Sequence, residues 1–336
     1  MIVSRTPLRI SLVGGSTDTP AFYSKHPGCV VSFAIDKYIY IMLNPKFDGS
    51  FRLSYSKTEN VDKISEIKHP LVRNMLDRWG WNEMNPLEIV SVADIPGEGS
   101  GLGSSSSFTV GLLNAIWSYI GKSESTKFEL AEQAFRDELL SHSSIGKQDH
   151  YAVAFGGFNR LQFSKWEYNP QQRFLVTPVK SKWDCDNPWS WNDLHKYMLL
   201  LWTGMTRKSD DLLKWQKENF DSGNTIEIGK EMVAQADTFY DLLINGNVKD
   251  AARIIHLGWQ LKKRLAKDIS NEFVDDWIQK AMNNGAWGGK LCGAGGGGFL
   301  FFFSPPDTHD RIVKATGLRK VDFDLDTEGS VILHAS

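Results

Sequence analysis

Residues 96–107 read Pro-Gly-Glu-Gly-Ser-Gly-Leu-Gly-Ser-Ser-Ser-Ser, and no other stretch narrows the possible folds more. An alternating apolar run, Leu87–Ala93, precedes it. A second run, with Phe108, Leu112, Leu113, Ile116 and Tyr119, follows it. The first pattern predicts a strand and the second a helix. Glycine at every second position gives the loop between them bare, closely spaced backbone N–H groups. The helix it opens adds unpaired amides and the positive end of its dipole. That combination suits phosphate, and its place inside a strand–helix unit argues against a flexible linker. Serine hydroxyls at the helix start suit phosphate oxygens or Mg2+, a hard cation that prefers oxygen.

The rest of the chain reads as a mixture of strands and helices. Val3–Val13, Cys29–Leu43, Phe51–Tyr55, Asn159–Phe163 and Phe299–Phe303 have strand patterns. His69–Arg78, Phe128–Leu140 and four segments between Asp210 and Asn283 have helical ones. A length of 336 residues predicts two domains, 1–182 and 183–336, divided near the polar, tryptophan-rich stretch from Trp183 to Asn192. The formal net charge of -2 excludes the basic excess of a nucleic-acid binder; Lys262, Lys263 and Arg264 read as a solvated helix face. Cys29, Cys185 and Cys292 form no paired framework, which points to a reducing, cytoplasmic setting. The longest apolar run, Phe299–Phe303, is far too short to span a bilayer. His142 and His150 read as structural or surface residues, not a zinc site.

Two motif-like stretches fail on context. Gly121-Lys122-Ser123 resembles the end of a P-loop, but Ile116 stands where that motif needs glycine. Gly293-x-Gly295-x-x-Gly298 spells a dinucleotide fingerprint, which must follow a strand and open a helix; here the pattern predicts a helix before it and a strand after it.

Three stretches in order resemble the GHMP kinases. They are Thr6–Asp18 (Thr-Pro-Leu-Arg-Ile-Ser-Leu-Val-Gly-Gly-Ser-Thr-Asp), the 96–107 loop with its Gly101–Ser106 core, and Leu291–Gly298. The resemblance implies an α+β fold of two domains. The N-terminal ATP-binding domain would be related to a ribosomal-protein fold, and the C-terminal one would be ferredoxin-like. ATP and substrate would lie between them. Gly146–Asn159 and Thr203–Arg207 are similar to the heptose 7-phosphate kinases of the GDP-heptose route, and fucokinases share parts of both stretches. The implied activity is Mg2+- and ATP-dependent phosphorylation of a heptose 7-phosphate at its anomeric hydroxyl, by a monomer or homodimer without nucleic-acid or membrane partners. A kinase for an unphosphorylated sugar and a non-catalytic sugar and nucleotide sensor are the rivals.

The same resemblance implies roles for particular residues. Asp149 stands in the place of the family's catalytic aspartate and would accept or orient the sugar hydroxyl's proton. Arg9 would keep that carboxylate ionised and stabilise charge during transfer. Gly97, Gly99, Gly101, Leu102, Gly103, Ser104, Ser105 and Ser106 would hold the ATP phosphates. Ser105 and Glu138 would hold Mg2+, with Asp137 as the alternative to Glu138. Asp18 and Gly15 would meet the sugar, and Gly295 and Gly296 would let backbone approach it. Lys147 is a further candidate for phosphate, and Arg207 and Lys208 for a distal phosphate on the substrate.

Overall fold

The computed structural model describes residues 1–95, 99–122, 124–164, 176–178, 191–206 and 210–336. In chain order these form β1 (Ile2–Val13), α1 (Pro20–Tyr23), β2 (Gly28–Pro45), β3 (Phe51–Ser54), β4 (Thr58–Val61), α2 (Pro70–Arg78), β5 (Leu87–Ala93), α3 (Ser104–Tyr119), α4 (Lys127–Leu139), α5 (Gln148–Phe155), β6 (Phe158–Phe163), β7 (Val176–Pro178) and α6 (Trp191–His195). They continue as β8 (Met198–Trp202), α7 (Asp210–Asp221), α8 (Ile226–Ile244), α9 (Val248–Lys263), α10 (Glu272–Asn283), β9 (Gly288–Leu291), β10 (Phe299–Phe303), α11 (His309–Thr316), β11 (Arg319–Lys320) and β12 (Val331–Ala335). The architecture is α+β in two domains.

Strand β2 organises the first sheet. It pairs with β1 along most of its length, with β6 through Gly28–Phe33, and with β5 through Ile39–Pro45. Its residues Val30, Val31, Phe33, Ile35, Ile41 and Leu43 are buried, and β-branched and aromatic side chains of this kind suit a pleated, packed surface. Helix α3 lies across β1 at close range. A Cβ on Gly111 would stand 2.8 Å from the Thr6 hydroxyl. Ser4 and Ser107 reinforce the contact by donating to the carbonyls of Gly111 and Pro7, each at 2.8 Å. The start of α3, and so the glycine loop, is thereby fixed beside the middle of β1.

The second sheet runs β11-β8-β10-β9, all antiparallel. The continuous apolar run of β10 follows from its place between two cores. Phe299, Phe301 and Phe303 face one that continues into the first domain, while Leu300 and Phe302 face the helices of the second. Phe301 meets Phe33 of β2 edge-on at 6.1 Å, so the two domains share packed aromatic side chains. Among the described residues no helix is long and apolar enough to cross a membrane.

Several expectations need correction. The boundary between residues 182 and 183 lies outside the described residues, and the last strand does not belong to the second sheet: β12 pairs antiparallel with β1. The chain end thus returns to the first domain and covers an edge that would otherwise be open. A strand, β9, directly precedes the Gly293 turn, not a helix; a strand also follows, so the dinucleotide reading still fails. Helices α5 and α11 and strand β8 are not evident in the sequence pattern.

Candidate active site

The fold brings Arg9, in the middle of β1, against both the glycine loop and the start of α5. Its Nε and Nη2 donate to the two carboxylate oxygens of Asp149 at 2.7 and 2.6 Å. Its Nη1 donates to the Gly101 carbonyl at 2.8 Å, and its backbone N–H donates to Leu102 at 3.0 Å. The planar guanidinium presents its donors as a rigid fork, so one side chain fixes two separate segments relative to each other. Arg9 is almost wholly buried, while the Asp149 side chain keeps 25% of its exposure, towards a cleft of about 1120 Å³. Asp149 stands in the first turn of α5, where the helix dipole favours a negative charge.

The described part of the loop has the backbone that its glycines allow. Gly99, Gly101 and Gly103 have φ of 68, 75 and 79°, the left-handed region where a side chain is strained. No side chain caps the start of α3, which Gly103 opens, and Ser104, Ser105 and Ser106 line the cleft there. A helix start with uncapped amides facing a cleft is an anion site in waiting. Leu102 is completely buried and anchors the loop from behind, and Ser104 bonds Ser100 at 2.8 Å. Gly97 lies outside the described residues.

Ser105 also donates to Oε1 of Glu138 at 2.5 Å. The other carboxylate oxygen meets Thr109 at 3.1 Å and His150 Nε2 at 2.6 Å. Burial alone would raise the Glu138 carboxyl, but the His150 ring and the two hydroxyls outweigh it and hold it below the usual carboxylate range. Asp137 points away, to Trp79, Gln133 and Arg78. Of the two neighbours, only Glu138 lines the cleft. Among the described residues no group of three or more His, Cys, Asp or Glu side chains is placed to hold a metal. Ser105 and an ionised Glu138 therefore offer a sparse pair of hard oxygen donors, which suits Mg2+ completed by phosphate and water.

Asp18 is enclosed by the turn after β1. It accepts from the Ser16 and Gln148 amides, both at 3.0 Å. Gly146 is required here, because its Cβ would fall 2.0 Å from an Asp18 oxygen. Burial first, and then the Asp149 charge, push the Asp18 carboxyl above its usual range. Asp18 and Gly15 line the cleft beside Asp149. The second glycine turn packs mainly on protein. A Cβ on Gly293 would stand 2.4 Å from Gly101 Cα, one on Gly298 2.3 Å from the Ser100 carbonyl, and one on Gly295 2.6 Å from the Ile269 carbonyl. The Gly296 amide is occupied by the Ile269 carbonyl at 3.0 Å, while Gly293, Gly295 and Gly297 reach the cleft.

Two features escape a reading of the sequence alone, and the expectation for Lys147 fails. Lys262 is not on a solvated face: it is buried, lines the cleft and donates to the Gly293 carbonyl at 2.6 Å. The signal was in the helix period, since the buried positions Val248, Ala251, Ala252, Ile255 and Trp259 of α9 continue at Lys262. The cleft is also lined by an aromatic wall: His69 stacks on Phe108 at 5.3 Å, and Tyr55 meets His69 edge-on at 4.8 Å. These residues are dispersed along the chain, and no local motif announces them. Lys147 pairs with Glu132 at 2.7 Å and does not line the cleft. Arg207 and Lys208 lie outside the described residues, next to Thr206, which does line it.

Comparison with known proteins gives a consistent picture. Residues 66–157 match the description "GHMP kinases N terminal domain" and residues 239–316 match "GHMP kinases C terminal". The chain is 30% identical to the D-glycero-alpha-D-manno-heptose 7-phosphate kinase of Campylobacter jejuni, covering 98% of this chain and 97% of that protein. It is 24% identical to an L-fucokinase/L-fucose-1-P guanylyltransferase of Bacteroides fragilis, over 94% of this chain but 36% of the larger protein. A solved D-glycero-D-manno-heptose 1-phosphate kinase from Bacteroides thetaiotaomicron shares the fold, with a TM-score of 0.75, 23% identity and complete coverage of both chains.

Proposed function

The chain belongs to the GHMP kinase family and is a sugar kinase, and from that premise we propose that it phosphorylates D-glycero-D-manno-heptose 7-phosphate. The γ-phosphoryl group of ATP goes to the anomeric hydroxyl, giving the 1,7-bisphosphate and ADP. The observation that carries the reading is the Arg9 fork, which holds Asp149 beside the Gly101–Leu102 segment. Phosphoryl transfer needs a held phosphate and a positioned hydroxyl within reach of each other, and this contact supports both.

ATP phosphates rest on the backbone of Gly97–Gly103 and on the uncapped amides and hydroxyls of Ser104, Ser105 and Ser106. Mg2+ held by Ser105 and Glu138 would supply positive charge to the β- and γ-phosphates. His150 and Thr109 keep Glu138 ionised and aimed at Ser105. Asp18 and Gly15 receive the sugar, and Gly295 allows close backbone approach to it, while Gly296, its amide taken by Ile269, does not line the cleft. Asp149 takes the proton from the anomeric hydroxyl, whose oxygen bonds to phosphorus as the bond to the ADP oxygen breaks. Arg9 holds both Asp149 oxygens in place and stabilises the charge near the transferring group. Arg207 meets the distal phosphate.

A screen of ADP release across free and phosphorylated hexoses and heptoses tests this. D-glycero-D-manno-heptose 7-phosphate should give the highest kcat/KM, exceeding the free heptose by about 100-fold, because a lost charge-assisted phosphate contact costs several kcal/mol. Equal or better turnover of free fucose or galactose would overturn the substrate assignment and favour a kinase of the fucokinase type, the kind of relative found in Bacteroides fragilis.

A further inference from the structure

Lys262 is an unusual residue for its place. It extends the buried stripe of α9 into the cleft, 14 residues after Val248 on the same face. Its ammonium carries three donors, yet among the described residues its one hydrogen-bond acceptor is the Gly293 carbonyl, and it has no ion-pair partner. A buried cation with one neutral acceptor is a costly arrangement, and a methionine of similar length would fill the space without that cost. The position is also specific. A Cβ on Gly15 would lie 3.9 Å from its nitrogen, so the ammonium borders the turn that carries Asp18. Gly293, which holds it, packs on Gly101 of the phosphate loop. The charged or titratable groups facing it are Arg9 on β1, Asp18 in the following turn, Asp149 on α5, and Lys290 and Cys292 of β9 and its end.

We propose that Lys262 is a catalytic residue whose ammonium, suspended from the Gly293 carbonyl, donates to the acceptor oxygen of the sugar as Asp149 removes its proton. The step balances without any other reactant. The O–H bond breaks and its proton goes to Asp149; the oxygen bonds to the γ-phosphorus; the bond from phosphorus to the ADP oxygen breaks and ADP keeps that electron pair. Lys262 stays protonated throughout and offsets negative charge on the attacking oxygen. The role rests on the sugar-kinase reading given above, but on no particular sugar. It also supplies a reason for the second glycine turn: that turn carries the carbonyl that aims the ammonium.

Protonation gives the role a signature that a structural lysine lacks. Burial, and then the Arg9 charge, bring the Lys262 ammonium down to about 8, with Asp18 and Asp149 opposing them. Its charge is present below that pH and is lost as pH rises through it, so kcat/KM should fall on the alkaline side. The test compares wild type, Lys262→Met and Lys262→Arg, each checked for fold by circular dichroism and for binding of an ATP analogue. Each is then assayed for ADP release between pH 6 and pH 10, on the best sugar found in the screen. Lys262→Met should lower kcat by about 100-fold, the cost of one such donor, with nucleotide affinity within about threefold of wild type. Lys262→Arg, with a guanidinium that does not titrate in this range, should retain more activity than the methionine variant and lose the alkaline fall. Lys262→Met turning over within threefold of wild type, or an alkaline fall unchanged in Lys262→Arg, overturns the proposal. If the methionine variant does not fold, the wild-type and arginine profiles decide alone. Wild type inactive on every sugar would sink the kinase reading and this proposal together; active wild type matched by Lys262→Met would sink this proposal only.

Discussion

The regions proposed as the acceptor and nucleotide ends of the cleft are built on different principles. At the acceptor end, charged side chains fix one another: Arg9 grips both oxygens of Asp149, and Asp18 is wrapped by backbone amides. At the nucleotide end, the described surfaces are backbone amides, serine hydroxyls and ring faces, with Glu138 as the one carboxylate among the assigned residues. The first end is pre-organised without ligand, while the second is left with binding capacity to spare. Loss of a side chain at the acceptor end should therefore strike turnover, and loss at the nucleotide end should strike metal or ATP binding.

Asp149→Asn should produce the largest effect. The amide keeps the size of the carboxylate but cannot take a proton, and kcat should fall by about a thousandfold, within the range for a lost general base. ATP affinity, read by titration of a fluorescent analogue, should stay near wild type. A matched loss of ATP binding would show that the two ends are not separable. Glu138→Gln comes next. It removes the charge that His150, Ser105 and Thr109 sustain, and the Mg2+ concentration for half-maximal activity should rise by about 10–100-fold. An unchanged Mg2+ titration would exclude Glu138 as the ligand, and Asp137, turned to Trp79 and Arg78, would not be a ready substitute.

The same division governs what the sequence reveals. The nucleotide loop is legible because left-handed backbone demands glycine, so Gly99, Gly101 and Gly103 report their geometry directly. Glycine reports the second turn twice over: Gly293, Gly295, Gly296 and Gly298 have positive φ, and Gly293 and Gly298 also let backbone pass backbone. The Arg9–Asp149 contact joins residues 140 positions apart, and only resemblance to a family links them beforehand. Helix α5 escapes notice because it has eight residues, too few for a clear period, between Gly146 and Gly156. Lys262 resembles a surface residue when taken with its neighbours Lys263 and Arg264, whereas its phase continues the buried stripe from Val248 to Trp259. Residue type suggested solvent, and helical geometry decided otherwise.

The aromatic wall gives the smallest and most discriminating prediction. Phe108 stacks on His69 at an interplanar angle of 18°, and these ring faces line the cleft together with Ile39, Leu71 and Ile95. A purine base laid against such a face gains about 1–3 kcal/mol per stacked ring. Phe108→Ala leaves His69 and Tyr55 in place, so only the lower part of that range should be lost. One kcal/mol corresponds to about a fivefold change in an equilibrium constant. The KM for ATP should accordingly rise by about five- to tenfold, with kcat and the Mg2+ midpoint unchanged. A fall in kcat instead would mean that Phe108, at the start of α3, acts by holding Ser105 in place, and the two ends of the cleft would then be mechanically coupled through that helix.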